Sequence, residues 1–486
     1  MLAMACRRLA DFLEVLDREG DVARVEPEVV VDGEVAEIAR RSVAGANRAL
    51  LLGHVRHVGL PVVVNLLAHP RRIALLLGVK SVDEAAARLA TLLDPQRPEG
   101  WFERLKTSPR VAALGSIPPR EVRAGAAQQV VRLGSDVDLG ELPLLRHDAD
   151  EPAPAITAAT LLSVDPDSGA PVSMRCPLLK LAADQLGPCW ADDEPIARLW
   201  QRYRQRRETM PLAAVLGGDP LLSLVTSLSL PPGVDAIRLA GLLRESPLDV
   251  VRCRSLDLWV PAEAEFVVEG RLKPSDELVE VGNVLDESGF HLPARLVTRM
   301  RITAMTSRAQ PVYHAIVPGP APGEETAMRQ SMARLLLPLA KLSLPELVDY
   351  ALPRWAAARQ AVVLAVDKWH AGQGRQVVHQ AWSLPWLKRC KLIVVVDASV
   401  DPSNETSVLA AVANHVAPDG DVWFDHGPAN SSDPMQRPGT LNSRMAIDAT
   451  RKLPDERARH PMPPPLCVDE EMARRVTSRW PELGIE

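Results

Sequence analysis

Apolar residues along this chain recur with two different periods, and the switch between them marks out three sections. Near the start Leu9, Phe12, Leu13 and Leu16 stand at i, i+3, i+4 and i+7, the stripe of an amphipathic helix that Gly20 can end. The same spacing predicts helices over 34–42 and 82–93, with strands over 49–52 and 61–65. From about 128 to 310 short runs with turn residues between them dominate: QVVRL, ITAATLLSVD, PLAAVLGGDP, LDVVRCRSLDLWVP, AEFVVEG and RMRITAMTS. That pattern predicts a β-barrel or sandwich. The Pro- and Gly-containing segment SIPPREVRAGAAQQ in front of it reads as a hinge. Beyond about 325, AMRQSMARLLLPLAKL and GRQVVHQAWSL read as helices, and AVVLAVD and KLIVVVD as buried strands. Pro454 to Pro465 is expected to be an extended connector and 468–478 a terminal helix. The expected domains are 1–122 (α/β), 123–318 (β-rich) and 319–486 (α/β).

Composition narrows the class. With 486 residues, 47% hydrophobic and 24% charged, the chain can fill a core without disulfides or metal staples, which excludes disordered, collagen-like and disulfide-scaffold proteins. A net charge of −6 argues against a protein built to hold nucleic acid. The six cysteines form no CxxC pair and no zinc-type spacing, as expected of reduced thiols in a cytoplasmic protein. Asp11, Glu14, Asp17 and Glu19 interrupt any apolar leader core, and no run approaches the ~20 apolar residues of a membrane span.

Generic motifs add little. There is no GxxxxGK[ST], no GxSxG and no HExxH, and the Gly-Gly of VLGGDP lacks GxGxxG spacing. GGDP reads as a turn that ends a strand.

Six segments, taken in order, do carry a resemblance: DPDSG…SMR, MPLAAVLGGDP, LPPGVDAIRLAGLLR, VPAEAEFVVEG, LIVVVD and MAIDATRKLPDE. Together they resemble the UbiD family of decarboxylases, which use prenylated FMN to remove or add carboxyl groups on unsaturated acids. The resemblance implies an N-terminal α/β domain, a central split β-barrel that binds flavin, and a C-terminal α/β domain with a terminal helix. It also implies a homodimer or larger homo-oligomer, a tail packed on a neighbouring subunit, and a flavin prenyltransferase as cofactor supplier.

Residue by residue, Arg175 in GAPVSMRC matches the family arginine beside flavin and substrate carboxylate, with Ser173 and Met174 next to it. Taken alone it would be an ordinary surface arginine. A guanidinium fork suits a carboxylate and stays charged. Counting on from Glu269-Gly270 in EGRLKPSDELVEVGNVLDESGFHLP places the first family acid at Glu280, expected to pair with Arg175. The second falls at Asp286 if one residue is inserted, with Glu287 its nearest competitor and Glu277 possible on a slipped register. Four acids in such a stretch could equally be a solvated loop. In the implied chemistry an unsaturated acid loses CO₂ through a covalent adduct with prenylated FMN, and Asp286 protonates the decarboxylated carbon.

The stretch LVTSLSLPPGVD aligns with the part of the family that wraps the flavin phosphate, placing Thr226, Ser227 and Leu228 there. Lys391 matches the lysine that reaches the same phosphate, although a lysine capping a buried strand is common. The family's divalent metal (with potassium nearby) is held by Asn, His and Glu, and those positions here are Ala170, Cys189 and Ala236, so no metal ligand is assigned. Cys189 is kept as a cofactor contact, and Lys391 or Arg238 could replace the lost charge. No role is assigned to His291, His370 or His379. The resulting expectation is a carboxy-lyase for a small unsaturated acid, with a secondary-metabolite or polyketide intermediate as a candidate substrate. The alternatives are a flavin-binding homologue without lyase activity and, last, an FMN oxidoreductase, for which no nicotinamide site is visible.

Overall fold

The computed structural model describes residues 6–93, 117–282, 284–286, 288–292, 294–319, 322–356, 360–427, 433, 435, 442–456 and 469–484. The first helix, Leu9–Arg18, buries Leu9, Phe12, Leu13 and Leu16 as its spacing predicts. The Asp11 carboxylate accepts from the amides of Arg7 and Arg8 at one end. At the other end Gly20, at φ +68°, lets its amide reach Asp17 O while the Asp21 amide reaches Leu16 O. Helices Glu34–Ala44 and Val82–Leu93 and strands Ala49–Leu52 and Val62–Val64 also form where expected. Strand Val22–Val25 and helix Pro70–Leu76 escaped the sequence reading, being too short to show a period. Buried Arg72 ties the loops of this layer, donating to Leu66 O, Asn65 O and Asn47 and pairing with Asp21 at 3.1 Å. The sheet runs Val22–Val25, Ala49–Leu52, Val62–Val64, Tyr313–His314, so its fourth strand arrives from beyond the central sheet.

The centre is one nine-stranded antiparallel sheet. Its main path is Ala155–Ile156, Leu178–Ala182, Gln185–Pro188, Met300–Ser307, Phe266–Leu272, Met210–Leu216, Thr160–Val164, Pro171–Arg175, with Val130–Leu133 on the flank of Met300–Ser307. Three helices, Pro195–Arg206, Pro220–Val225 and Ala236–Leu243, correct the expectation of strands alone here. The first carries a legible stripe, Ile196, Leu199, Trp200 and Tyr203, all buried. The segment read as a hinge carries a short strand of its own. Arg120–Glu121 pairs in parallel with Asp249–Arg252, and the Arg120 guanidinium holds the Asp249 carboxylate through two 2.6 Å contacts.

GGDP does end a strand. Gly217 (φ +64°) and Gly218 (φ +90°) turn the chain so tightly that a Cβ on Gly217 would lie 2.5 Å from Glu265 Cγ. Asp219 then caps helix 220–225 through the Leu221 amide.

The C-terminal sheet runs Leu347–Ala351, Ala361–Val366, Leu392–Asp397, Asn442–Asp448, Val422–Gly427, parallel in its middle three strands and antiparallel at both edges. Its central strands are the two apolar runs read from the sequence, buried on both faces. Helix Gln373–Ala381 stops before Trp382, shorter than expected. Helix Glu324–Ser343 bridges this sheet to the N-terminal layer. The terminal helix forms at Glu470–Arg479 and buries no residue. The connector expected from 454 is a 3₁₀ turn over Pro454–Glu456 and otherwise lies outside the described residues. No described helix is long and apolar enough to cross a membrane.

Burial drives the Glu265 carboxyl up to about 7, against donation from the Val312 amide and the nearby Arg308. Between its ordinary 4.5 and that value the folded protein keeps a proton the unfolded chain releases, so stability falls as pH rises through this window. Glu265→Gln, which cannot ionise, should therefore gain on the parent by up to about 3 kcal/mol between acidic and mildly alkaline pH. Denaturant unfolding of both proteins across that range checks this, and parallel pH curves would refute it.

Candidate active site

Arg175 ends the strand Pro171–Arg175, in register with Thr160 of the neighbouring strand. Its side chain is 5% exposed and its guanidinium engages the carboxylate of Glu325, in the first turn of helix 324–343. One turn on, Arg329 Nη2 reaches the same carboxylate at 2.5 Å, and Arg329 Nε donates to the Ser227 carbonyl at 3.2 Å. Thr160 Oγ1 lies 3.2 Å from Thr226 Oγ1. The structure thus brings the sequence-predicted Arg175, Thr226 and Ser227 into one buried group. It adds Glu325, Arg329 and Thr160, which the sequence reading missed. A signal was available: Glu325 and Arg329 are opposite charges four residues apart in a helix whose neighbouring positions are buried.

The expected pairing of Glu280 with Arg175 is corrected. Glu280 sits in strand Val279–Val281, opposite Leu296, where Val281 packs inward against Ala155, Leu179 and Val297. Alternation along the strand then points Glu280 to solvent. Glu277 is likewise exposed, and Glu287 lies outside the described residues.

Asp286 occupies the turn of a small hairpin, Val284–Leu285 with His291–Leu292. Its amide donates to Phe290 O, and its carboxylate accepts from the Ser288 amide. Asp286 lies in the field of Arg295, whose buried guanidinium faces Cys189. Burial works against the charge on Arg295, but Cys189, Cys176 and Asp286 outweigh it and raise its pKa. Burial likewise raises the Cys189 thiol, with Arg295 opposing.

Lys391 opens strand Leu392–Asp397 and pairs with Asp433 at 3.0 Å. Both line a cavity of about 680 Å³ between the Asp286 hairpin and the C-terminal sheet, together with Ser288, Arg354 and Arg444. Its apolar wall is Phe290, Trp355, Phe424, Leu392 and Met445, so three of the chain's few aromatic side chains meet here. His379 is half-exposed on helix 373–381, and His370 stacks edge-on against Trp369.

The fit of an anionic flavin phosphate rests on the arginines more than on the hydroxyls. Thr226 Oγ1 and Ser227 Oγ donate back to Leu222 O and Leu224 O of their own helix. Beside them stands the buried Arg329 guanidinium, a donor that suits an anion, while Arg175 shares its Glu325 carboxylate. A hard divalent cation does not fit the three positions the resemblance assigned to it. Ala170 and Ala236 offer methyl groups, and Cys189 faces the cation Arg295. Arg238 is half-exposed beside Asp235.

The class of protein follows when the central antiparallel sheet between two α/β layers, with an arginine–carboxylate cluster at its edge, is set beside known families. Three family descriptions match in order: the 3-octaprenyl-4-hydroxybenzoate carboxy-lyase N-terminal domain over 13–91, its Rift-related domain over 120–321 and its C-terminal domain over 326–449. The chain belongs to the UbiD carboxy-lyase family. A protein of Aquifex aeolicus (strain VF5), described as uncharacterized, is 30% identical over 482 residues, 99% of both chains. The UbiD-class enzyme HmfF from Pelotomaculum thermopropionicum, solved as an evolved dimeric form with prFMN, superposes at TM-score 0.76 with 26% identity, covering 94% of this chain and 97% of that one. Vanillic acid decarboxylase of Sedimentibacter hydroxybenzoicus, in closed form, shares the fold at TM-score 0.87 with 23% identity, covering 98% of this chain and 99% of that one.

Glu325→Gln removes the charge that Arg175 and Arg329 share in a nearly dry place. It should cost about 3 kcal/mol of unfolding free energy. Chemical denaturation reads this, and a change below about 0.5 kcal/mol would show that the cluster does not depend on the carboxylate.

Proposed function

We propose that this enzyme removes CO₂ from an α,β-unsaturated carboxylic acid without net oxidation, with prenylated FMN bound beside Arg175. The observation that carries the reading is the buried Arg175–Glu325–Arg329 cluster at the edge of the central sheet, in a chain of this family. When bound, prenylated FMN supplies the electron sink that a vinylic carbon lacks.

The chain's own groups do the rest. Arg175 binds and orients the substrate carboxylate, its guanidinium held in place by Glu325. As the C–C bond breaks, its electron pair stays on the substrate carbon and CO₂ departs. Asp286, at the tip of its hairpin, delivers a proton to that carbon. Ser173, Met174, Thr226, Ser227, Leu228, Cys189 and Lys391 are the proposed neighbours of the flavin, with Arg329 added. The aromatic-walled cavity next to the hairpin suits the apolar end of a flat unsaturated acid, a secondary-metabolite intermediate among the candidates.

The absence of oxygen ligands at Ala170, Cys189 and Ala236 favours one competing reading, a homologue that binds flavin without turnover. Protein co-produced with a flavin prenyltransferase and offered cinnamate, sorbate and hydroxybenzoate separates the two. CO₂ release is expected on at least one acid. Asp286→Asn should lower that rate about 10²- to 10⁴-fold with the flavin still bound. An unchanged rate in Asp286→Asn, or flavin binding with no turnover on any acid, would defeat the proposal.

The terminal helix and following turn expose Met472, Val476, Trp480 and Leu483, a stripe at helical spacing, and a second copy of this chain is the proposed cover. Deleting 469–486 should halve the mass measured by light scattering. An unchanged mass would remove that role.

A further inference from the structure

We infer that His291 and Asp148 form a strut that sets the position of the Asp286 hairpin. The hairpin has two cross-strand pairs, Val284 with Leu292 and Leu285 with His291, and belongs to none of the larger sheets. A ladder that short does not hold itself in place. Within it Asp286 is well fixed. Its amide bonds Phe290 O, its carbonyl accepts from the Gly289 amide, and Gly289 takes the φ of +82° that the turn requires. What places the hairpin on the rest of the molecule must come from outside.

Two contacts do so. At the base, Gly282 passes close to Pro152, and Val281 and Val297 pack on Ala155 and Leu179. At the far side His291 Nε2 lies 2.8 Å from Asp148 Oδ2. The Asp148 carboxylate is itself immobilised, because Oδ1 accepts from the amides of Asp150 and Glu151. That turn is closed by His147, whose amide and ring both meet Glu151, and both side chains are buried. Arg146 and Leu145, just before it, bridge to Asp32 of the N-terminal layer and to Ala155 of the central sheet. Asp148 therefore carries the position of the core, and His291 transmits it across the ladder to the strand that leads into Asp286.

His291 is a positioning residue, and it does not touch the reacting atoms. The strut stands on its own geometry, while its effect on turnover rests on the reading of Asp286 as proton donor. His291→Leu should speed amide hydrogen exchange over 284–292 about tenfold in flavin-free protein, and lower kcat on the best acid of the panel about tenfold with KM within twofold. His291→Gln, which can still donate to Asp148, should restore most of both. Asp148→Ala offers a second route to the same shifts, and the double variant should do no more than either change alone.

Unchanged exchange in both single variants, or fully additive effects in the double variant, would overturn the strut. Faster exchange with kcat unmoved would support the strut and overturn the role of Asp286.

Discussion

The first turn of helix 324–343 is the joint on which the rest depends. It presents two adjacent carboxylates in opposite directions. Glu324, 2% exposed, accepts from the Leu67 amide at 2.7 Å and lies 3.4 Å from His314, so it grips the N-terminal layer. Glu325 grips the central sheet through Arg175. Ten residues further along, Arg334 reaches Asp83 of helix 82–93 and Asp349 of the C-terminal sheet. Three layers thus meet on one rod, and the helix N-terminus favours the two negative charges placed there. The position of Arg175 is consequently a property of the whole assembly.

Where periodicity ran long enough, the sequence disclosed the structure. Helix Leu9–Arg18, the strands around Val363 and Val394 and the GGDP turn all follow from local spacing. The three central helices did not emerge, for two different reasons. Pro220–Val225 and Ala236–Leu243 are short and almost wholly buried, so they show no polar face. Pro195–Arg206 has a clear stripe, but it sits between runs whose alternation signals strands. At the site, Arg175, Thr226 and Ser227 were legible from a family resemblance. For Glu325 the i,i+4 spacing to Arg329 marks a charged pair in a buried helix, but its contact with Arg175 spans 150 residues and no local pattern encodes that partner. The error at Glu280 is instructive: one position of alternation separates a residue that faces the core from one that faces water.

Cationic side chains are concentrated at two places near the candidate site. Guanidinium groups occupy both regions: Arg175 and Arg329 around Glu325, and Arg295 against Cys189. Arginine keeps its charge when buried and offers several donors in a plane, which makes it the side chain best able to hold an anion away from water.

The N-terminal sheet takes its last strand, Tyr313–His314, from a point some 250 residues beyond Val62–Val64. During synthesis the ribosome must therefore deliver nearly two thirds of the polypeptide before that edge can be closed. Until then a strand of three valines stands open to any passing β-segment. Fragments cut at an apparent module boundary would inherit the same unprotected border, so the modules visible in the sequence are not independent units of biosynthesis.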